Sequence, residues 1–379
     1  MTSEPIQLLT ELIAIDSVNP DLAPGAPGEP AIADFCAAWL AEHGFTVERL
    51  EATPGRPSIV GVLRGAGGGR SLMLNGHLDT VGVASYVGEP FTARVADGKV
   101  SGRGAFDMKG GLASILVAAS RAAATPLAGD VIVALVADEE FGSLGTAEML
   151  GRYTADAAIV AEPSELELTL AHRGFAWFEV VLTGRAAHGS LPEQGVDAIA
   201  GAGALLAGVD ALRRRLEGMP RHPLLGHGTV RVSTISGGVD AATVAPSCTL
   251  TLERRTLPGE TIDTVEAEVR ALVVEAADSV PGLTATLERL VGRAAFEADP
   301  ESVIVSTVTA AFAAATGAPP VVRGEPFWTD AGLIAEAGIP CLVLGVDGGG
   351  AHADEEWVTV ASLETLTDVL ERTIRDFCA

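Results

Sequence analysis

Eight residues of this chain could do chemistry together if the fold brought them to one place: His77, Asp79, Asp107, Asp138, Glu139, Glu140, Glu162 and His352. Two imidazoles and three carboxylates without a thiolate form a borderline-hard donor set, suited to zinc, cobalt or manganese. Two divalent ions against ligands Asp107, Glu140 and Glu162 would leave a net positive cluster. Such a cluster can polarise an amide carbonyl and lower the pKa of a bridging water. Asp79, two residues beyond His77, is placed to accept the other ring N–H and orient it. Glu139 sits beside Glu140 but points elsewhere, which leaves it free to take a proton from the water. Each residue also has an ordinary reading: a loop histidine, a helix-capping aspartate, a solvated glutamate. What speaks against all of these at once is their shared position.

That position follows from the elements that must carry them. The run 131–137 is entirely small and branched apolar residues, a strand covered on both faces, and it ends directly in Asp138-Glu139-Glu140. A strand near 71–74 leads to His77 and Asp79, one at 157–161 to Glu162, and one at 340–344, through a glycine-rich loop, to His352. Asp107 opens an apolar helix expected to run from Gly104 to about 124, after a strand near 99–102. If these strands are parallel, their carboxyl ends share one rim, where open α/β sheets bind ligands. From about 176 the pattern changes to strand 177–183, helix 196–216, strands 228–235 and 247–255, helix 260–277 and strand 283–290. That β-α-β-β-α-β order is the ferredoxin-like split unit. The expected organisation is therefore a first domain in two parts, 1–175 and 292–379, with a second domain, 176–291, inserted between them.

Composition narrows the function. A length of 379 residues favours two domains, and 48% hydrophobic residues with only 4% aromatic implies cores built from small side chains. A formal charge of −25 disfavours nucleic acid and anionic membranes as partners. Cys36, Cys248, Cys341 and Cys378 are far apart, which argues against a disulfide framework and fits a reducing cytoplasm. No signal peptide or membrane span is expected.

The segments Gly76-His77-Leu78-Asp79-Thr80, Gly102 to Gly111 around Asp107-Met108-Lys109, Asp138-Glu139-Glu140, Ala161-Glu162-Pro163 and Gly349-Gly350-Ala351-His352 run in order along the chain. Together they closely resemble the co-catalytic di-zinc amidohydrolases that include acetylornithine deacetylase, succinyl-diaminopimelate desuccinylase, aminoacylase and carboxypeptidase G. The resemblance implies a zinc-exopeptidase-like catalytic domain with a mainly parallel central sheet, and makes the inserted unit a lid or dimerisation domain. It implies two metal ions, zinc with cobalt or manganese as alternatives, bridged by Asp107. His77 and Glu162 would complete one site, Glu140 and His352 the other. Glu139 would be the general acid/base working with a metal-bridging water, and Asp79 the orienting residue. His188, in Arg185-Ala186-Ala187-His188-Gly189-Ser190, matches a lid histidine that reaches the partner subunit's site in a homodimer and binds the substrate carbonyl and oxyanion. Arg255 matches a lid arginine that could pair with a substrate carboxylate or form only a surface salt bridge. One departure stands out: relatives often carry an Asn after the Gly237-Gly238 pair, and residues 239–246 contain none.

The resulting expectation is a cytoplasmic deacylase of an N-acyl amino acid or dipeptide. The leading specific activity is acetylornithine deacetylation in arginine biosynthesis; desuccinylase, aminoacylase and carboxypeptidase activities remain alternatives. A nucleotide-binding protein is disfavoured because Gly102-x-Gly104-x-x-Asp107 lacks the third glycine and no P-loop is present. A non-catalytic binding relative would have no need of Glu139 beside Glu140.

Overall fold

The computed structural model describes residues 3–379 and divides into two compact units. One comprises the chain up to Leu170 together with Ala298–Arg323 and Thr329–Ala379; the other comprises Ala171–Glu297 and Gly324–Trp328.

The first unit is α/β. Its main sheet places strands Thr46–Leu50, Ser58–Leu63, Val131–Val136, Leu72–His77, Ala157–Val160, Cys341–Val343 and Leu168–His172 side by side in that order. The central four, from Val131–Val136 to Cys341–Val343, are parallel, and the strands flanking them are antiparallel. Every residue of Val131–Val136 and Ala157–Val160 is buried, as unbroken apolar runs require when helices cover both faces. The almost wholly apolar helix Gly110–Ala123 is one of these covers, packed against Glu4–Ile13 and the closing helix Val360–Phe377. Because the central strands run the same way, their carboxyl ends lie on one edge.

Two details differ from the expectation. Lys99–Ser101 does not join the main sheet; it pairs with Arg94–Ala96 and Trp357–Thr359 in a small antiparallel sheet that also holds Gly348–Gly349. Nor does a single helix run from Gly104. Residues Ala105–Lys109 form a separate turn, in which Asp107 has non-helical φ −118° and ψ 96°, and the regular helix begins only at Gly110. Gly104 enters this turn at φ +78°, where a Cβ would lie 2.8 Å from Thr80 Cγ2. Glycine is required there on both counts.

The second unit is an antiparallel sheet ordered Thr229–Gly237, Ser247–Thr256, Gly174–Thr183, Thr284–Arg293, with helices Ala198–Glu217 and Ile262–Asp278. Gly174–Thr183 alternates, burying Ala176, Phe178, Val180 and Leu182 among helix residues such as Leu205 and Val269. Asp197 and Thr261 cap the two helices by accepting backbone N–H groups of the first turn.

Candidate metal centre

The rim of the parallel sheet gathers the acids and histidines. His77, buried at its strand end, directs Nε2 at Asp107 Oδ1 (3.1 Å) and Glu162 Oε1 (3.5 Å). His352, on the loop after Cys341–Val343, directs Nε2 at Glu140 Oε2 (3.0 Å) and Asp107 Oδ2 (3.3 Å). The two oxygens of Asp107 thus face one imidazole each. Donor atoms of His77, Asp107 and Glu140 lie within 4.8 Å of one another, and so do those of His77, Glu139 and Glu162. His352 holds a left-handed backbone (φ +61°), a conformation that costs a non-glycine residue energy and concentrates at ligand-binding loops.

The electrostatics of this cluster fit cations. Burial pushes the Glu139 and Glu162 carboxyls well above the ordinary carboxylate range, reinforced by like charge between them and their neighbours. Burial and Asp107 push Glu140 to about 7. Hydrogen bonds to Asp107 and Glu140 raise His352 to about 10. Burial works against the charged form of His77, but Glu162, Asp107 and Asp79 still carry it well above its usual value. Asp107, between two imidazoles, is lowered despite its burial. Glu140 Oε1 is buried without a hydrogen-bond partner among the described residues. Acids this crowded, with one orphaned oxygen and two imidazole nitrogens aimed into them, are a donor set that divalent ions complete and protons complete poorly.

Asp79 departs from its expected contact. His77 Nδ1 lies 2.9 Å from the backbone carbonyl of Asp79 and 3.6 Å from its carboxylate Oδ1. The ring is therefore oriented by the Asp79 main chain. The carboxylate accepts instead from the backbone N–H groups of Glu139 (3.1 Å) and Glu140 (3.2 Å) and from Asn19 Nδ2 (2.7 Å). A two-residue spacing allows either contact, so only the conformation selects one.

Several supporting residues have no role that the sequence assigns. Asp138 turns the chain at φ +71°, and its Oδ1 accepts from Arg56 Nη2 (2.6 Å) and Asn19 Nδ2 (3.0 Å). Arg56 also pairs with buried Glu29 (2.8 Å) and with Asp21. Glu356, 1% exposed, uses Oε1 to accept from the N–H groups of Phe106 and Asp107 (both 2.9 Å) and Oε2 to accept from Gly104 N–H (2.8 Å) and Arg103 (2.7 Å). It fastens the Asp107 turn to the segment that carries His352. Asp330, buried and pushed by that burial to about 6, accepts from Thr146 Oγ1 at the helix following the acidic tip. An acid near a glycine-rich loop is the only signal for Glu356, and it is weak. Lys109, without a role in the sequence, donates Nζ to Ile15 O (2.7 Å).

His188 and Arg255 lie in the second unit. His188 is exposed, with Nδ1 2.7 Å from Ser190 Oγ. Arg255 donates to Glu253 (3.1 Å) and lies 5.2 Å from the centre of the Phe175 ring. In the loop after Gly237-Gly238, Asp240 accepts from Ala242 N–H (2.8 Å) and Thr243 Oγ1 (3.1 Å), closing the loop on itself.

The model of peptidase family M20/M25/M40 matches residues 73–376. The chain belongs to this family. It is 31% identical over 409 residues to N-formyl-4-amino-5-aminomethyl-2-methylpyrimidine deformylase of Bacillus subtilis (strain 168), covering 99% of this chain and 95% of that protein. It is also 31% identical over 383 residues to acetylornithine deacetylase of Myxococcus xanthus, covering 98% and 96%. Among solved structures, aminopeptidase PepT from Bacillus cereus ATCC 10987 superposes with a TM-score of 0.80 at 22% identity, over 99% of this chain and 98% of that one. An M20 family metallo-carboxypeptidase from Sulfolobus solfataricus gives 0.80 at 17% identity, over 99% of each chain. As a member of the M20 family, the protein is a metal-dependent hydrolase of carbon–nitrogen bonds of the amide type. No helix among the described residues is long and apolar enough to cross a membrane.

Proposed function

We propose that this M20 hydrolase removes a small acyl group from an N-acyl amino acid or a related acylated amine, using two divalent ions. The observation that carries this reading is the position of Asp107, with one carboxylate oxygen toward His77 and the other toward His352. In it, His77, Asp107 and Glu162 would hold one ion and Asp107, Glu140 and His352 the other. Zinc is the leading choice and cobalt or manganese the alternatives. The bound ions would polarise the amide carbonyl and make a water more acidic.

The chain's own residues do the rest. Glu139, buried and raised above the ordinary carboxylate range, accepts the water's proton and passes it to the departing amine. Asp79, gripping the Glu139 and Glu140 N–H groups, fixes the strand tip on which both side chains stand. His188 supplies a hydrogen bond to the substrate carbonyl, reaching the partner subunit's site in a homodimer formed through the second unit. Arg255 pairs with a substrate carboxylate after giving up Glu253.

Acetylornithine is the leading substrate, in a cytoplasmic step of arginine biosynthesis. Deformylation of an aminomethylpyrimidine is a second reading, favoured by the equal identity to the Bacillus subtilis deformylase. A hydrolysis panel of N-acetylornithine, N-formyl-4-amino-5-aminomethyl-2-methylpyrimidine, N-succinyl-diaminopimelate and N-acyl amino acids decides between them. Failure of every N-acylated compound alongside cleavage of peptides would overturn the deacylase reading.

A further inference from the structure

The second unit contains a cationic cavity none of whose lining residues belongs to the metal centre. It has a volume of about 470 Å³, and its lining includes Arg173, Arg213, Arg221 and His227 with Glu217 as the single carboxylate. Glu217 is already committed to Arg213 (2.7 Å), which also binds Asp210 (2.7 Å). That leaves Arg173 and Arg221. Neither has a carboxylate partner among the described residues, in a chain carrying 50 acidic against 25 basic residues.

The state of Arg173 is the informative part. Its Nη2 donates to the carbonyl of Leu225 (2.6 Å), itself a lining residue, which ties the guanidinium into the cavity wall. Its Nε is closed off from solvent with no acceptor among the described residues, and Nδ1 of His227 is likewise without a partner there. Burial and the like charge of Arg255 both act against the Arg173 cation. A half-buried guanidinium with an unmet donor is costly, and a single acidic side chain would have relieved it. In a protein with so many acids, a wall left positive is matched to an anion that arrives from outside.

We propose that this cavity binds a small oxyanion, of the carboxylate or phosphate type, through the Arg173 guanidinium with Arg221 and His227. The planar fork of arginine suits two oxygens of such a group, and the exposed Arg221 can close over it. The anion is either a charged group of the substrate itself or a separate small ligand.

The test uses the metal-loaded, full-length enzyme and sulfate as the probe, with chloride at equal ionic strength as the control. Calorimetry should show saturable sulfate binding, and thermal unfolding should shift upward in sulfate but not in chloride. Arg173→Gln should weaken binding about tenfold or more, the loss of one charge-assisted contact. Arg221→Gln, at an exposed side chain without ion pairs, should weaken it with folding intact and keeps the test open if Arg173→Gln does not fold. No saturable binding, or binding unchanged in both variants, overturns the proposal. In the steady state, sulfate raising KM at constant kcat assigns the anion to the substrate. Sulfate altering kcat assigns it to a separate ligand.

Discussion

The carboxylate of Asp79 holds the backbone of Glu139, with Oδ1 accepting its N–H at 3.1 Å while Oδ2 accepts the N–H of Glu140 at 3.2 Å. One buried side chain thereby sets the main chain under both glutamates, and Asn19 in turn holds Asp79. Asp79→Ala frees that tip. Turnover should drop roughly 10–100-fold, the usual cost of losing an orienting partner next to a metal site. The visible spectrum of the cobalt-substituted enzyme should broaden or shift as Glu140 loses its placement. A variant with wild-type kcat and an unaltered cobalt spectrum would show that the contact does not position the acids.

Glu139 faces the opposite demand, to move a proton. Glu139→Gln keeps the size of the side chain and removes its basicity, so kcat should fall by about 10²–10⁴, the range for loss of a general acid/base. Metal content by elemental analysis should remain that of the wild type. Equal loss of metal and rate would make Glu139 a ligand, a role its grouping with His77 and Glu162 would also allow.

Metal uptake should be linked to protons. In the metal-free protein His352 is raised to about 10 and Glu140 to about 7, so His352 carries a proton at neutral pH and Glu140 takes one up as the pH falls through 7. Ligation requires them to be released. Affinity for zinc or cobalt should therefore strengthen as pH rises through 7 and weaken as it falls. Calorimetry in buffers of different ionisation enthalpy should report net proton release. A chelator should abolish amidase activity, and added Zn²⁺ or Co²⁺ should restore it; activity surviving exhaustive chelation would contradict the metal dependence that family membership carries.

Glu356→Gln tests the clamp on the Asp107 turn. The amide cannot accept at both ends, so it leaves either the Phe106 and Asp107 N–H groups or the Gly104 N–H and the buried Arg103 without their acceptor. Removing one member of a buried ion pair costs about 3 kcal/mol. Tm should fall in the metal-free protein, and metal affinity should fall further because Asp107 loses its anchor. Unchanged affinity with lowered Tm would confine Glu356 to stability.

The candidate ligands are legible in the amino-acid sequence because buried parallel strands announce themselves as unbroken apolar runs. Parallel pairing then forces their carboxyl ends to one edge, so residue type and distance from a strand end suffice for His77, Glu140, Glu162 and His352. Other contacts depend on which atoms come within hydrogen-bonding distance, and spacing leaves that open. His77 Nδ1 meets the Asp79 carbonyl and not its carboxylate, and Asp107 sits in a broken turn instead of a first helical turn. Asp138 acquires a role only because Arg56 and Asn19 arrive from distant segments, and Glu356 because the chain returns to Asp107 after 249 residues. The amino-acid sequence by itself determined which side chains could bind metal and on which edge they stand. Only the tertiary structure decided what holds each of them still, because those partners are chosen by packing to within an ångström.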